Sequence, residues 1–207
     1  MEKLLLFCLF FCILQSCVSK QYLKKHGFSD DIKSIREEVY IVENNQKKIL
    51  QTKTLKFTKN GRVKTSKTLD SLGNLIEKTE KRLWFEKRSY PNKLPYYCKT
   101  RWKPKQRERI SCYTQKQYKQ NEIIVHYTQN DMIDKIVDNF STSYTHQYQY
   151  TNSELTKIVV TDKDNNLVDI IKVECISKDS KGNCLEQKKK YSSSGTIWIT
   201  SFTFTYK

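Results

Sequence analysis

The chain has 207 residues, with 38 Lys plus Arg against 22 Asp plus Glu, a formal net charge of +16, and a length that fits one domain or at most two small ones. Hydrophobic residues make up 37%, below the roughly 45–50% of an average soluble domain. Ala is absent while Tyr, Thr, Ile, Val, Phe and Trp are plentiful, a set that suits a pleated, half-buried surface and excludes a helical bundle.

At the N-terminus an apolar run of eleven residues, Leu4 to Leu14, follows Lys3. It has the length of a signal-peptide core and falls short of the roughly 20 residues a membrane-spanning helix needs. Leu14, Gln15, Ser16 and Cys17 then place a branched apolar residue three positions before a cysteine and a small residue just before it. This resembles the lipobox of bacterial lipoproteins. The resemblance implies cleavage after Ser16, diacylglycerol on the Cys17 thiol and an acylated new amine, which would hold the mature chain on a membrane. High Lys, low Arg and many Asn give the chain a style similar to Bacteroidota lipoproteins. The expected organisation is a signal helix and peptide at 1–16, a lipidated tether at 17–30 that includes Lys20, Lys24, Lys25 and Gly27, and one β domain at 31–207.

Alternation with a period of two dominates from about Ile35 onward. Ile35, Glu37, Val39 and Ile41 share a face, Asn44 and Asn45 turn the chain into Ile49 to Phe57, and Lys59, Asn60 and Gly61 turn it again. Asp70-Ser-Leu-Gly-Asn leads into Leu75 and Ile76, and the same word returns as Asp179-Ser-Lys-Gly-Asn before Cys184 and Leu185. Looser copies lie at 127–136, 150–158 and 162–170. These units resemble the YD-type hairpin repeats of secreted bacterial proteins. The fold class is therefore mainly β, an antiparallel meander of hairpins that forms an open sheet, a sandwich or a barrel. The segment from Tyr90 to Lys105 contains Pro91, Pro95 and Pro104 and reads as a long loop or edge.

Export permits disulfides, and Cys98 with Cys112 and Cys175 with Cys184 are the local pairings among three connectivities. The residues offer no catalytic or metal motif: His26, His126 and His146 are isolated, and no cofactor is expected. Asp162, Asp164 and Asn166 copy the first half of a calcium loop, but Leu167 replaces its glycine and Val173 its bidentate glutamate, so turn chemistry accounts for them. The aromatic stripes Tyr144, His146, Tyr148, Tyr150 and Trp198, Phe202, Phe204, Tyr206 fit sugar stacking or, more simply, the buried side of a sheet.

From Lys81 to Arg109 eleven Lys or Arg face two Glu, with Trp84, Phe85, Tyr90, Tyr96, Tyr97 and Trp102 interleaved. That mixture grips polyanions through charge and flat apolar area, and Arg88, Arg101, Arg107 and Arg109 carry the bidentate geometry for it. Export separates the chain from nucleic acid and leaves lipopolysaccharide, acidic glycans or a protein as the expected partner. The expected function is a non-enzymatic, membrane-anchored lipoprotein of the cell envelope, in the outer membrane, that binds a polyanion or protein. The alternatives are an immunity or inhibitor lipoprotein against a secreted toxin or hydrolase, and a structural envelope component.

Overall fold

A computed structural model describes residues 21–44, 46–103 and 107–207. The signal segment 1–16, Cys17 and Pro104 lie outside the described residues. One helical turn, α1 (Tyr22–Lys25), is followed by β1 (Ile32–Glu43), β2 (Gln46–Phe57), β3 (Val63–Asp70), β4 (Leu75–Lys81), β5 (Glu86–Tyr90), β6 (Lys93–Lys103) and β7 (Arg107–Tyr113). The chain continues through β8 (Lys119–Tyr127), β9 (Ile133–Asp138), β10 (Thr145–Thr151), β11 (Glu154–Thr161), β12 (Leu167–Lys178), β13 (Cys184–Tyr191) and β14 (Ile197–Tyr206). Every strand pairs with its sequence neighbours, and β14 returns to pair antiparallel with β1, from Ile32 opposite Tyr206 to Val42 opposite Ile197. The meander is thus a closed barrel, in which every described strand has a neighbour on both sides.

The tight turns fall where Asn, Asp and Gly stand. Asp70 Oδ1 accepts the backbone N–H groups of Leu72 and Asn74, and Gly73 has a φ of +86°. Asp179 does the same for Lys181 and Asn183, with Gly182 at +82°. Asp162 accepts the N–H groups of Asp164 and Asn166, with Asn165 at +66°. The apparent half of a calcium loop is this same turn, its first carboxylate spent on backbone donors.

Two stretches differ from the sequence reading. Residues 90–103 form a hairpin, not a long loop. Pro91 and Asn92, the latter at a φ of +57°, make its turn, and Pro95 sits inside β6. Pro95 is tolerated because β6 pairs only with β5 there, beside a register shift, and pairing with β7 begins at Tyr97. The second stretch is the expected tether, of which residues 21–29 are packed against the barrel. Leu23 is fully buried against Ile32, Ile35, Leu55 and Phe57, and its N–H donates to the Gly61 carbonyl. Gly61 has a φ of +67°, and a Cβ there would press within 3.3 Å of the Leu23 side chain, so both backbone and space call for glycine.

Alternation sorts the side chains into lumen and outer wall. Ile35, Glu37, Val39, Ile158, Val160, Ile171, Val173 and the aromatic stripe of β14 face inward. The outer wall at mid-strand carries Arg36, Glu38, Lys67, Lys78 and Lys172. A bilayer-spanning barrel presents apolar side chains at that level, and each Lys or Arg at mid-depth costs about 2–4 kcal/mol. The strands of this barrel therefore stand in water.

Candidate functional site: a plugged lumen

The chain enters β1 from one end of the barrel, the plugged end, which also holds the β2–β3, β4–β5, β8–β9, β10–β11 and β12–β13 turns. Residues 21–29 fold into that mouth. Lys25 Nζ lies 2.8 Å from Glu108 Oε2, the Tyr127 hydroxyl donates to the same oxygen at 2.7 Å, and Glu108 is 0% exposed. Ser29 N–H donates to Asn183 Oδ1 at 2.8 Å, and Asn183 Nδ2 donates to Ser29 Oγ at 3.0 Å. Phe28 packs edge-on against Phe202 and Phe204, at 5.7 and 5.4 Å between ring centres.

The plug divides the lumen into two chambers, and Tyr22, Lys25, His26, Gln51 and Ile133 border both. One chamber, about 390 Å³, is walled by Tyr148, Tyr150, Tyr191, Trp198 and Phe202 and also by the charged Glu37, Lys178 and Lys189. The other, about 520 Å³, is walled by charge: Lys53, Arg62, Lys81 and Arg88 with Glu77 and Glu86. Arg88 is held by Glu86 at 3.0 Å, and the Thr79 hydroxyl donates to Glu77 at 3.0 Å. Lys53, Arg62 and Lys81 have no ion pair among the described residues, and the buried Nε of Arg62 has no hydrogen-bond partner there.

Around His26 the titrations shift together. Enclosure in the barrel and the cations Lys25, Lys53 and Lys189 push its imidazole down to about 3, so it is neutral at physiological pH. Enclosure raises the Glu37 carboxyl, against the pull of Lys53, the Tyr22 hydroxyl and Lys189. Burial lowers the Lys189 ammonium, against Glu37. Tyr22 donates to Glu37 at 3.4 Å, and burial followed by the charge of Glu37 raises its phenol. A space with an aromatic wall on one side and, on the other, cations without an ion pair among the described residues matches a molecule with an apolar body and an anionic head.

The structure keeps three of the four sequence-predicted basic residues on one outer face and sends the fourth to the lumen. Arg101 lies directly opposite Arg109 on adjacent strands, with Arg107 two residues further on the same outer face. Arg88 lies on the lumen side and belongs to the charged chamber. The cysteines meet as expected: Cys98 bonds Cys112 with Cα atoms 3.9 Å apart, and Cys175 bonds Cys184 at 5.8 Å. His146 and Tyr148 face inward and His126 outward beside Lys135 and Arg107. Sequence reading missed the plug. Its signal was present in Tyr22, Leu23 and Phe28, three large apolar side chains in a segment otherwise rich in Lys.

No known family model matches the chain, and no curated protein sequence matches it. Among solved structures, the chain is similar to a LolA superfamily protein from Nitrosomonas europaea, with a TM-score of 0.44 and 6% identity over 89% of this chain and 90% of that one. It is also similar to a DUF1329 family protein from Desulfovibrio piger, with a TM-score of 0.34 and 9% identity over 86% and 87% of the two chains. A porin-like protein from Bacteroides uniformis has a TM-score of 0.35 and 11% identity over 78% of this chain and 56% of that one.

Proposed function

We propose that this chain is a non-enzymatic envelope lipoprotein, anchored through Cys17, whose barrel holds a small amphipathic anion in its lumen. The observation that carries the reading is a lumen that sets the aromatic wall of Tyr148, Tyr150, Tyr191, Trp198 and Phe202 beside Lys53, Arg62 and Lys81, which lack an ion-paired partner among the described residues. Burying apolar area on the aromatic side supplies affinity, and the cations set the orientation of the head group. Among the described residues no lumenal nucleophile is hydrogen-bonded to a base, and binding explains the arrangement without a reaction.

The test is titration of the purified protein with a fluorescent fatty acid. Binding is expected in the micromolar range and should weaken about tenfold or more when Lys53 and Arg62 are both replaced by Gln. If no fatty acid binds, or if Lys53→Gln/Arg62→Gln binds as tightly as the parent, the lumenal reading fails.

A second reading keeps the polyanion on the outer wall. It is favoured by Arg101 facing Arg109, since like charges placed directly opposite repel unless an anion bridges them.

A further inference from the structure

The β4–β5 turn departs from the turn chemistry of the other hairpins. Asp70, Asp162 and Asp179 lead turns built from Asn and Gly, whereas Arg82 N–H bonds the Phe85 carbonyl at 2.8 Å around a two-residue tip of Leu83 and Trp84. Neither tip residue has a positive φ, so the backbone does not demand them. Leu83 is 84% exposed and Trp84 77% exposed. Elsewhere the exposed apolar side chains at turn tips, Leu72, Tyr118 and Phe140, stand one to a turn, and the adjacent pair Leu167 and Val168, 61% and 37% exposed, lies within paired strand β12 and not at a tip. Two adjacent large apolar side chains at the tip of a hairpin gain nothing from this fold and need a surface outside the chain.

The path of the N-terminus says which surface. Gln21 lies at the β2–β3 turn, its side-chain oxygen 3.6 Å from where a Cβ on Gly61 would stand. That turn and the β4–β5 turn are neighbours at the plugged end, because β3 pairs with β4. Cys17 is four residues before Gln21, so the chain spans at most about 14 Å between them. An acyl group on Cys17 therefore holds the plugged end at the bilayer. The opposite rim stands about 30 Å away, the height of strands of this length at the usual barrel tilt. Lys24, Lys59 and Lys64, all exposed, surround the exit point.

We infer that the plugged end is a membrane-docking face, in which Leu83 and Trp84 enter the headgroup layer of an anionic bilayer and Lys24, Lys59 and Lys64 meet its phosphates. Trp favours that interface because its ring is apolar and its N–H is polar. The barrel then stands upright on the membrane with its unplugged rim toward the aqueous space. This inference rests on the anchor at Cys17.

The test uses the acylated protein with Trp102→Phe and Trp198→Phe, which leaves Trp84 as the sole fluorophore, reconstituted in vesicles of phosphatidylcholine and phosphatidylglycerol brominated near the head of the acyl chains. Trp84 should be quenched at least twofold relative to vesicles without bromine. Unchanged Trp84 emission overturns the docking face. In parallel, the mature sequence with Cys17→Ser should sediment with the same vesicles, and Leu83→Ser/Trp84→Ser should lower that binding about tenfold or more. Equal binding by the two overturns the docking face as well. Mass of the native N-terminus tests the anchor separately: an unmodified Cys17 with a quenched Trp84 removes the anchor and keeps the docking face.

Discussion

Lys25 and Glu108 are 83 residues apart in sequence and 2.8 Å apart inside the barrel mouth, and Glu108 is fully buried. Lys25 and the Tyr127 hydroxyl share one oxygen of this carboxylate, so it is paired where water does not reach it. The pair ties the N-terminal plug to the wall at β7 and β8. Removing one member of a buried pair strands the other, at a cost of about 3 kcal/mol. Glu108→Ala is therefore expected to lower the thermal midpoint by roughly 6–12 °C and to expose residues 21–30 to protease. Calorimetry and limited proteolysis check both. A midpoint within a degree of the parent would mean that the plug is held without this pair.

The acid limb of stability should carry the mark of His26. Enclosure in the lumen and the cations Lys25, Lys53 and Lys189 hold its imidazole well below the ordinary value in the folded barrel, although its edge is exposed, whereas in the unfolded chain it takes a proton near 6.5. As pH falls from 7 to 5 the unfolded state gains that proton and the folded state does not, so stability falls. His126 and His146, both lowered by burial, act in the same direction. Glu37, raised by enclosure, opposes them, because it takes its proton more readily when folded. Denaturant unfolding at pH 7 and pH 5 should show a loss in the parent that is reduced in His26→Gln. An equal loss in both would place the effect on other groups.

Much of the fold was legible because each turn carries its own instruction. Asp70 and Gly73, or Asp179 and Gly182, specify the same turn wherever they occur, and alternation such as Val125 and Tyr127 or Ile171 and Val173 marks the inward face. Closure of the barrel was not legible. It depends on β1 pairing with β14, a register between Ile35 and Phe204 that no local pattern encodes. The charged chamber was hidden for a related reason: Lys53, Lys81 and Arg88 sit in a Lys-rich sequence, and only strand parity separates them from outer-wall residues such as Lys67 and Lys78, while Arg62 stands in the β2–β3 turn where no parity applies. Pro95 signalled an edge, and the unpaired side of β6 at that residue is one, local to a closed sheet, so only the long-loop alternative fails.

The two disulfides should differ in access. Cys98 and Cys112 are 2% and 3% exposed, while Cys175 and Cys184 are only partly covered. Exchange requires a thiolate to reach a sulfur, so graded reduction followed by alkylation should label Cys175 and Cys184 before Cys98 and Cys112. Each bond contributes about 3 kcal/mol through the loop it closes, and Cys98→Ser/Cys112→Ser should lose about that much. Simultaneous labelling of all four would remove burial as the controlling factor.

For the outer wall, Arg101→Gln/Arg109→Gln should weaken heparin binding roughly fivefold and flatten its salt dependence. Arg88→Gln should leave heparin binding unchanged, because its guanidinium lies in the lumen with Glu86. A heparin column run over a salt gradient separates the cases. If Arg88→Gln elutes as early as the double variant, the assignment of Arg88 to the lumen is wrong.

The repeated turn gives the sharpest comparison, since one sequence word serves two purposes. Asn74 closes the β3–β4 turn: its N–H and its Nδ2 donate to the two oxygens of Asp70, and it is exposed. Asn183 makes the same two bonds to Asp179 but is 2% exposed, and its amide also takes the Ser29 N–H, donates to Ser29 Oγ and reaches the Tyr206 hydroxyl at 3.0 Å. Replacement by Ala removes the side-chain bond of an ordinary turn at Asn74, a loss of about 1 kcal/mol or less in water. At Asn183 it also leaves the Ser29 N–H without its acceptor and frees the second anchor of the plug, so the cost should reach about 2–4 kcal/mol. Asn183→Ala, unlike Asn74→Ala, should therefore increase cleavage within residues 21–30 and accelerate hydrogen exchange at Leu23 and Ser29. Matching stability losses for the two variants would show that the buried copy of the turn only turns the chain and does not hold the plug.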